Sequence, residues 1–188
     1  MHVAIIGSHC TGKTTLLNAL KKEFPDYIFV DEYIKTLQDM NVPFNEVCTD
    51  MTQYIASDIC IDAFKHKNFI SDRSLLDVLA YSRYLCEKNV ISKECYDEIR
   101  LRWEAHNIDY DILFYAKPLK QEIENNGIRS TDQEFQKGVQ DIFEQFLFYE
   151  EYQWLYDEER PEVYQLPNDF DERIKFVKEK IDEFTKCS

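Results

Sequence analysis

One stretch of eight residues, Gly7-Ser8-His9-Cys10-Thr11-Gly12-Lys13-Thr14, narrows the folds open to this chain more than any other. It fits the phosphate-binding loop pattern GxxxxGK followed by Ser or Thr. Its flanks agree with that pattern. His2-Val3-Ala4-Ile5-Ile6 reads as a buried strand, and Leu16, Leu17 and Leu20 set one face of a helix that starts at the loop's end. A strand, a glycine loop and a helix N-terminus gather backbone N–H groups and a helix dipole around one point, an arrangement suited to a polyphosphate. Gly7 and Gly12 allow backbone shapes and close approach that a side chain would block. Ser8, His9, Cys10, Thr11 and Thr15 complete the expected nucleotide-binding set. Lys13 is expected to reach the β- and γ-phosphates, and the Thr14 hydroxyl to ligate Mg²⁺.

At 188 residues the chain has the size of one domain with a substantial core, and residues 1–188 are expected to form a single unit. No stretch has the apolar length of a membrane span, and with the first strand beginning at His2 no signal peptide is expected. The six cysteines (Cys10, Cys48, Cys60, Cys86, Cys95, Cys187) show no metal-ligand spacing, so reduced thiols in a cytoplasmic setting are expected. A formal net charge of −14 is the wrong sign for a duplex-binding footprint. The acidic, aromatic run 150–162 reads as a solvated helix end or loop.

Strand and helix patterns alternate along the chain. Apolar runs at 27–30, 68–71, 111–115 and 163–166 follow the first strand. Met51, Ile55 and Ile59, with Ile61 and Phe64 nearby, mark one amphipathic helix, and Phe135, Val139, Ile142, Phe143, Phe146 and Leu147 mark another. Two further helices are expected at 75–86 and 93–103, and a closing one through Ile174, Val177, Ile181 and Phe184. The alternation predicts an α/β fold with a five-stranded parallel sheet and helices on both faces, and for a phosphate-loop NTPase the expected strand order is 2-3-1-4-5.

In such a sheet, chemistry collects at the carboxyl ends of the strands. Asp72 ends the third strand and is a candidate to hold Mg²⁺ with Thr14 if that strand lies beside the first. Asp31-Glu32 ends the second and admits two readings. Asp31 on a metal with Glu32 activating water would make a hydrolytic ATPase. A second strand two positions from the loop, about 10 Å away, would instead leave space for an acceptor whose hydroxyl Glu32 contacts or deprotonates. Arg129, in a polar segment with Gly127, is a candidate cation for the transferring phosphoryl group, and residues 119–131 have the composition of a lid.

With these motifs in view, the chain resembles kinases of nucleosides and nucleotides that carry a phosphate loop. It is similar to the ribosylnicotinamide-kinase domain of NadR-type proteins, within a small AAA-like ATPase/kinase family. Glu32-Tyr33-Ile34-Lys35 is similar to that family's Glu-Tyr-x-Arg segment, with Lys35 where Arg is usual. Asn126-Gly127-Ile128-Arg129-Ser130 resembles its Asp-Gly-x-Arg-Ser segment. Asp72-Arg73-Ser74 looks more like the motif of thymidylate and deoxynucleoside kinases, whose arginine contacts substrate phosphate or holds the active site. The resemblance implies ATP and Mg²⁺, a small nucleoside-like or nucleotide-like acceptor, and Lys13, Glu32, Asp72, Arg73 and Arg129 as catalytic residues. A regulatory ATPase and a kinase of polynucleotide ends or modified DNA bases stay open as alternatives, as does a homodimer.

Overall fold

The computed structural model describes residues 1–118, 133–149 and 161–187. Its five strands are β1 (His2–Ile6), β2 (Ile28–Val30), β3 (Phe69–Asp72), β4 (Ile112–Tyr115) and β5 (Glu162–Gln165). They form one sheet in the expected order β2-β3-β1-β4-β5, and every neighbouring pair is parallel, as the alternation predicts. The helices are α1 (Lys13–Leu20), α2 (Ile34–Asp39), α3 (Asp50–Asp62), α4 (Leu75–Glu87), α5 (Lys93–His106), α6 (Gln133–Phe148) and α7 (Phe170–Cys187).

The period-two alternation of the central strands divides the core into two layers. Val3 and Ile5 of β1 pack with Ile70, Ile112 and Phe114 under Leu16, Leu17 and Leu20 of α1 and Val177 and Ile181 of α7. Ala4 and Ile6 face the other way, with Phe69, Leu113 and Tyr115, toward α2 through α6. All five residues of the leucine and β-strand set Ile5, Ile6, Leu16, Leu17 and Leu20 are fully excluded from water. At roughly 1.5–3 kcal/mol for each buried aliphatic side chain, this anchoring fixes where α1 begins, and so fixes the loop before it.

One predicted helix face is rotated. α3 turns Thr52, Gln53, Ala56, Ser57 and Cys60 inward, whereas Met51 is 60% exposed. Ile55 and Ile59 are only half-buried at the margin of the core. The inward polar groups are matched by partners on neighbouring helices. Ser82 Oγ donates to Gln53 Oε1 at 3.1 Å, and Arg102 Nη1 donates to Ser57 Oγ at 2.6 Å. Satisfied hydrogen bonds offset the desolvation that would otherwise keep this face outside.

Cys10, Cys48, Cys60, Cys86 and Cys95 form no disulfide. Among the described residues no helix is long and apolar enough to cross a membrane. The 119–131 segment with Arg129, and most of the 150–162 run, lie outside the described residues.

Candidate functional site

The register of the sheet brings the site together. Ile5 of β1 is opposite Asp72 of β3 and Phe114 of β4, so the ends of all three strands open at one edge, and the phosphate loop leaves β1 there. Gly7 has φ 135°, and a Cβ on it would lie 2.5 Å from the Ala116 carbonyl oxygen. Gly12 caps α1 at φ 83°, again in the left-handed region that favours glycine. Cys10 adopts φ 58° without that freedom. Ser8, His9 and Thr11 are buried, while Thr15 is exposed at the start of α1.

Lys13 is buried within this loop. Its Nζ donates to the carbonyls of Gly7 (2.9 Å) and Ser8 (2.6 Å) and to Thr11 Oγ1 (3.2 Å). Burial, helped by the nearby Arg73 charge, lowers its pKa to about 8 against the pull of Asp72, Asp77 and Glu32. An ammonium this poorly solvated gains strongly from added negative charge, which suits a phosphate ligand.

Beside it, Thr14 Oγ1 donates to Asp72 Oδ2 at 2.5 Å. Asp72 Oδ1 is buried without a hydrogen-bond partner. Burial, then the Glu32 charge, raises the Asp72 pKa. A hydroxyl and a carboxylate converging beside a phosphate loop offer hard oxygens of the kind Mg²⁺ takes, with the rest of its coordination from phosphate and water, so these residues fit that ion. Among the described residues there is no cluster of three or more His, Cys, Asp or Glu that would hold a metal by protein ligands alone.

The end of β2 separates Asp31 from Glu32. Asp31 faces outward, pairing with Lys35 at 3.0 Å and Lys21 at 3.5 Å, and the Lys35 hydrogen bond lowers its pKa. Lys35 is accordingly a surface partner. Glu32 faces inward, buried, where its Oε1 accepts from Arg73 Nε at 2.7 Å and lies 2.6 Å from Nη2. Arg73 sits at φ 86°, held by its own N–H to the Ile5 carbonyl (3.0 Å) and by Ser71 Oγ donating to its carbonyl (2.7 Å). Its guanidinium lies 5.0 Å from the Tyr81 ring centre and 5.6 Å from that of Tyr33. Burial works against the charge, but Tyr81, Glu32, Tyr33 and Asp77 hold Arg73 protonated well beyond its usual range.

Arg73 also forms one wall of a cleft of ≈ 370 Å³, counted to its open mouth, between α2, α3 and α4. Tyr33, Leu37, Phe44, Gln53 and Tyr81 line it. Gln53 is fixed in orientation, since Nε2 donates to Cys48 Sγ (3.4 Å) while Oε1 accepts from Ser82.

Several contributors to this site carry no signal in a sequence motif of the phosphate-loop type. Asp77 is one, although Ser74-x-x-Asp77 has the spacing of a capping box, and the box forms at the start of α4. Gln53 and Tyr81 look like ordinary helix residues. Arg173 of α7 is almost fully buried and spans three segments. It donates to the carbonyls of Thr11 (2.8 Å), Pro167 (2.7 Å) and Lys117 (3.3 Å). His9 Nδ1 lies 3.2 Å from Tyr81 Oη, and Gln136 of α6 donates to the His9 carbonyl at 2.6 Å.

Comparison with known proteins agrees with this architecture. A thymidylate kinase from Campylobacter lari is 30% identical over 105 residues, covering 48% of this chain and 54% of that protein. The chain thus matches about half the length of that curated relative. The deoxyadenosine kinase of M. mycoides, solved with its products, superposes with a TM-score of 0.64 at 16% identity, covering 97% of this chain and 99% of the other. A NadR protein in complex with NR gives 0.68 at 17% identity, over 98% of this chain and 51% of the other. The thymidylate kinase of Candida albicans gives 0.66 at 14% identity, over 96% and 90%. At these identities the structural likeness is one of fold. The sequence from residue 2 to residue 173, phosphate loop included, matches the AAA domain family AAA_28, and the chain belongs to that family.

Proposed function

We propose that this chain is a phosphotransferase that moves the γ-phosphoryl group of ATP to a nucleoside-like or nucleotide-like acceptor held in the cleft between α2, α3 and α4. The observation that carries this reading is the buried Glu32–Arg73 pair, whose arginine lines the cleft and lies beside Asp77, the carboxylate that holds the Gly7 amide. A carboxylate and a guanidinium at that junction can orient an acceptor's nucleophilic oxygen and balance charge on the group it receives. The kinship with nucleoside and nucleotide kinases supports the same chemistry.

In this mechanism the loop amides and Lys13 bind the donor's phosphates, and the strand end excludes water behind them. Glu32 accepts a hydrogen bond, then the proton, from the attacking hydroxyl of a nucleoside; with a nucleotide acceptor it only orients. Arg73 fixes Glu32 as a carboxylate and faces the acceptor. Thr14 and Asp72 would hold Mg²⁺, which when bound neutralises charge on the β- and γ-phosphates. Gln53 presents an amide edge to the polar groups of the acceptor, and Tyr33, Phe44 and Tyr81 cover its apolar surface. Arg129, outside the described residues, is the proposed further cation on the transferring group. A hydrolytic ATPase with Asp31 on the metal is disfavoured, because Asp31 is occupied at the surface by two lysines.

Glu32→Gln tests the reading. With a nucleoside acceptor kcat should fall by about 10²–10⁴-fold while ATP affinity changes little, since the amide keeps the shape but takes no proton. Wild-type turnover in this variant would remove Glu32 from the chemistry.

A further inference from the structure

The transfer site has two halves, a donor loop after β1 and an acceptor cleft beyond β3, and besides Tyr81, which meets His9, Asp77 reaches toward both. Asp77 lies in the first turn of α4 and is completely buried. Its Oδ1 accepts from the backbone N–H of Gly7, the first residue of the phosphate loop, at 3.1 Å. The same oxygen lies 3.6 Å from Arg73 Nη1, and that nitrogen completes no hydrogen bond. The other oxygen, Oδ2, is held by the N–H (2.9 Å) and hydroxyl (3.2 Å) of Ser74.

Arg73 therefore has two carboxylates within reach and is fully engaged with only one. Its Nε and Nη2 belong to Glu32, while Nη1 stops just short of Asp77. The unusual positive φ of Arg73 places the guanidinium between them, and such backbone shapes persist only where surrounding bonds hold them. Turning Glu32 toward an acceptor loosens its grip on Arg73. The guanidinium can then close on Asp77 by a side-chain movement alone, and any movement of Oδ1 is felt by the Gly7 amide.

We propose that Asp77 is a positioning residue that links the two halves: it is the second seat of Arg73 and carries the state of the acceptor side to the first amide of the phosphate loop. This rests on the kinase reading for its consequence in turnover, but the link itself is a property of the folded chain. A simple capping role for Asp77 predicts no such link, because the cap is made through Oδ2.

The chain has four glycines, each preceded by a different residue, so protein labelled with ¹⁵N-glycine gives a readable amide spectrum in which added carbonyl-¹³C isoleucine picks out Gly7 through Ile6 and carbonyl-¹³C lysine picks out Gly138 through Lys137. Glu32→Gln should shift the Gly7 amide while Gly138, away on α6, stays in place. In the Asp77→Asn background the same change should leave Gly7 as still as Gly138. Ser74→Ala, which removes a bond of the other oxygen, should keep the Gly7 response. In turnover, Asp77→Asn should lower kcat by tenfold or more with little change in the KM for ATP, as expected of misplacement by a fraction of an ångström. A Gly7 amide that ignores Glu32→Gln overturns the proposal without need of any Asp77 variant, and so does an equal response with Asn at 77. A wild-type protein that phosphorylates no nucleoside or nucleotide would instead sink the kinase reading, leaving the Gly7 response to decide the link by itself.

Discussion

A lysine that served only phosphate would be expected to leave stability untouched when replaced, yet Lys13 is 4% exposed and titrates near 8. Its burial has a stability cost with a definite pH signature. In the unfolded chain the group holds its proton up to about 10.5, while the folded protein releases it near 8. Between these values the unfolded state binds more protons, so the unfolding free energy rises with pH by up to about 1.4 kcal/mol per unit. Below pH 8 the full penalty applies, about 3 kcal/mol from a shift of this size. From pH 7.5 to 9.5 roughly 2 kcal/mol of it is relieved. Lys13→Met removes the ammonium and keeps most of the volume. Urea unfolding of both proteins at the two pH values should show wild type gaining about 2 kcal/mol on the variant as pH rises. Three hydrogen bonds are lost with the ammonium, so the absolute difference at one pH mixes two effects, but their change with pH isolates the charge. ATP binding should be abolished in the variant. Parallel pH profiles, or wild type losing ground to the variant at high pH, would refute the reasoning.

Gln53→Ala should raise the acceptor KM by about tenfold, equivalent to roughly 1.4 kcal/mol, with the KM for ATP unchanged in steady-state kinetics. Arg173→Leu leaves the carbonyls of Thr11, Lys117 and Pro167 without their donor. At about 1–3 kcal/mol for each buried group left unsatisfied, the denaturation midpoint should drop, and hydrogen exchange in the phosphate loop should speed up.

Much of the fold is legible in the sequence because strong local patterns and tertiary demands coincide. The run His2–Ile6, the glycine loop and the leucines of α1 each specify one element, and together they specify its neighbour. α3 is less legible, because its inner face is built from Thr52, Gln53 and Ser57, whose burial depends on Ser82 and Arg102 arriving from other helices. The same cause hides half of the site. Glu32 and Arg73 stand in recognisable strand-end motifs, but their contact at 2.6 Å joins residues 41 apart in the chain, and no local pattern announces it. Asp77 and Arg173 matter through the backbone groups they hold, and a backbone acceptor leaves no mark in a sequence. Asp31 and Glu32 are adjacent in sequence, yet the alternation at a strand end sends one to the surface and the other inward to Arg73.

Phosphorus NMR of the complete reaction follows every phosphate at once. With ATP, Mg²⁺ and a panel of nucleosides and nucleoside monophosphates, the γ resonance should disappear as ADP and one new phosphoester or phosphoanhydride resonance grow in equal amounts. Inorganic phosphate should stay at background, and without an acceptor the ATP should persist. ATP converted to ADP and inorganic phosphate at the same rate with and without every acceptor would make this chain a hydrolase and contradict the transfer reading outright.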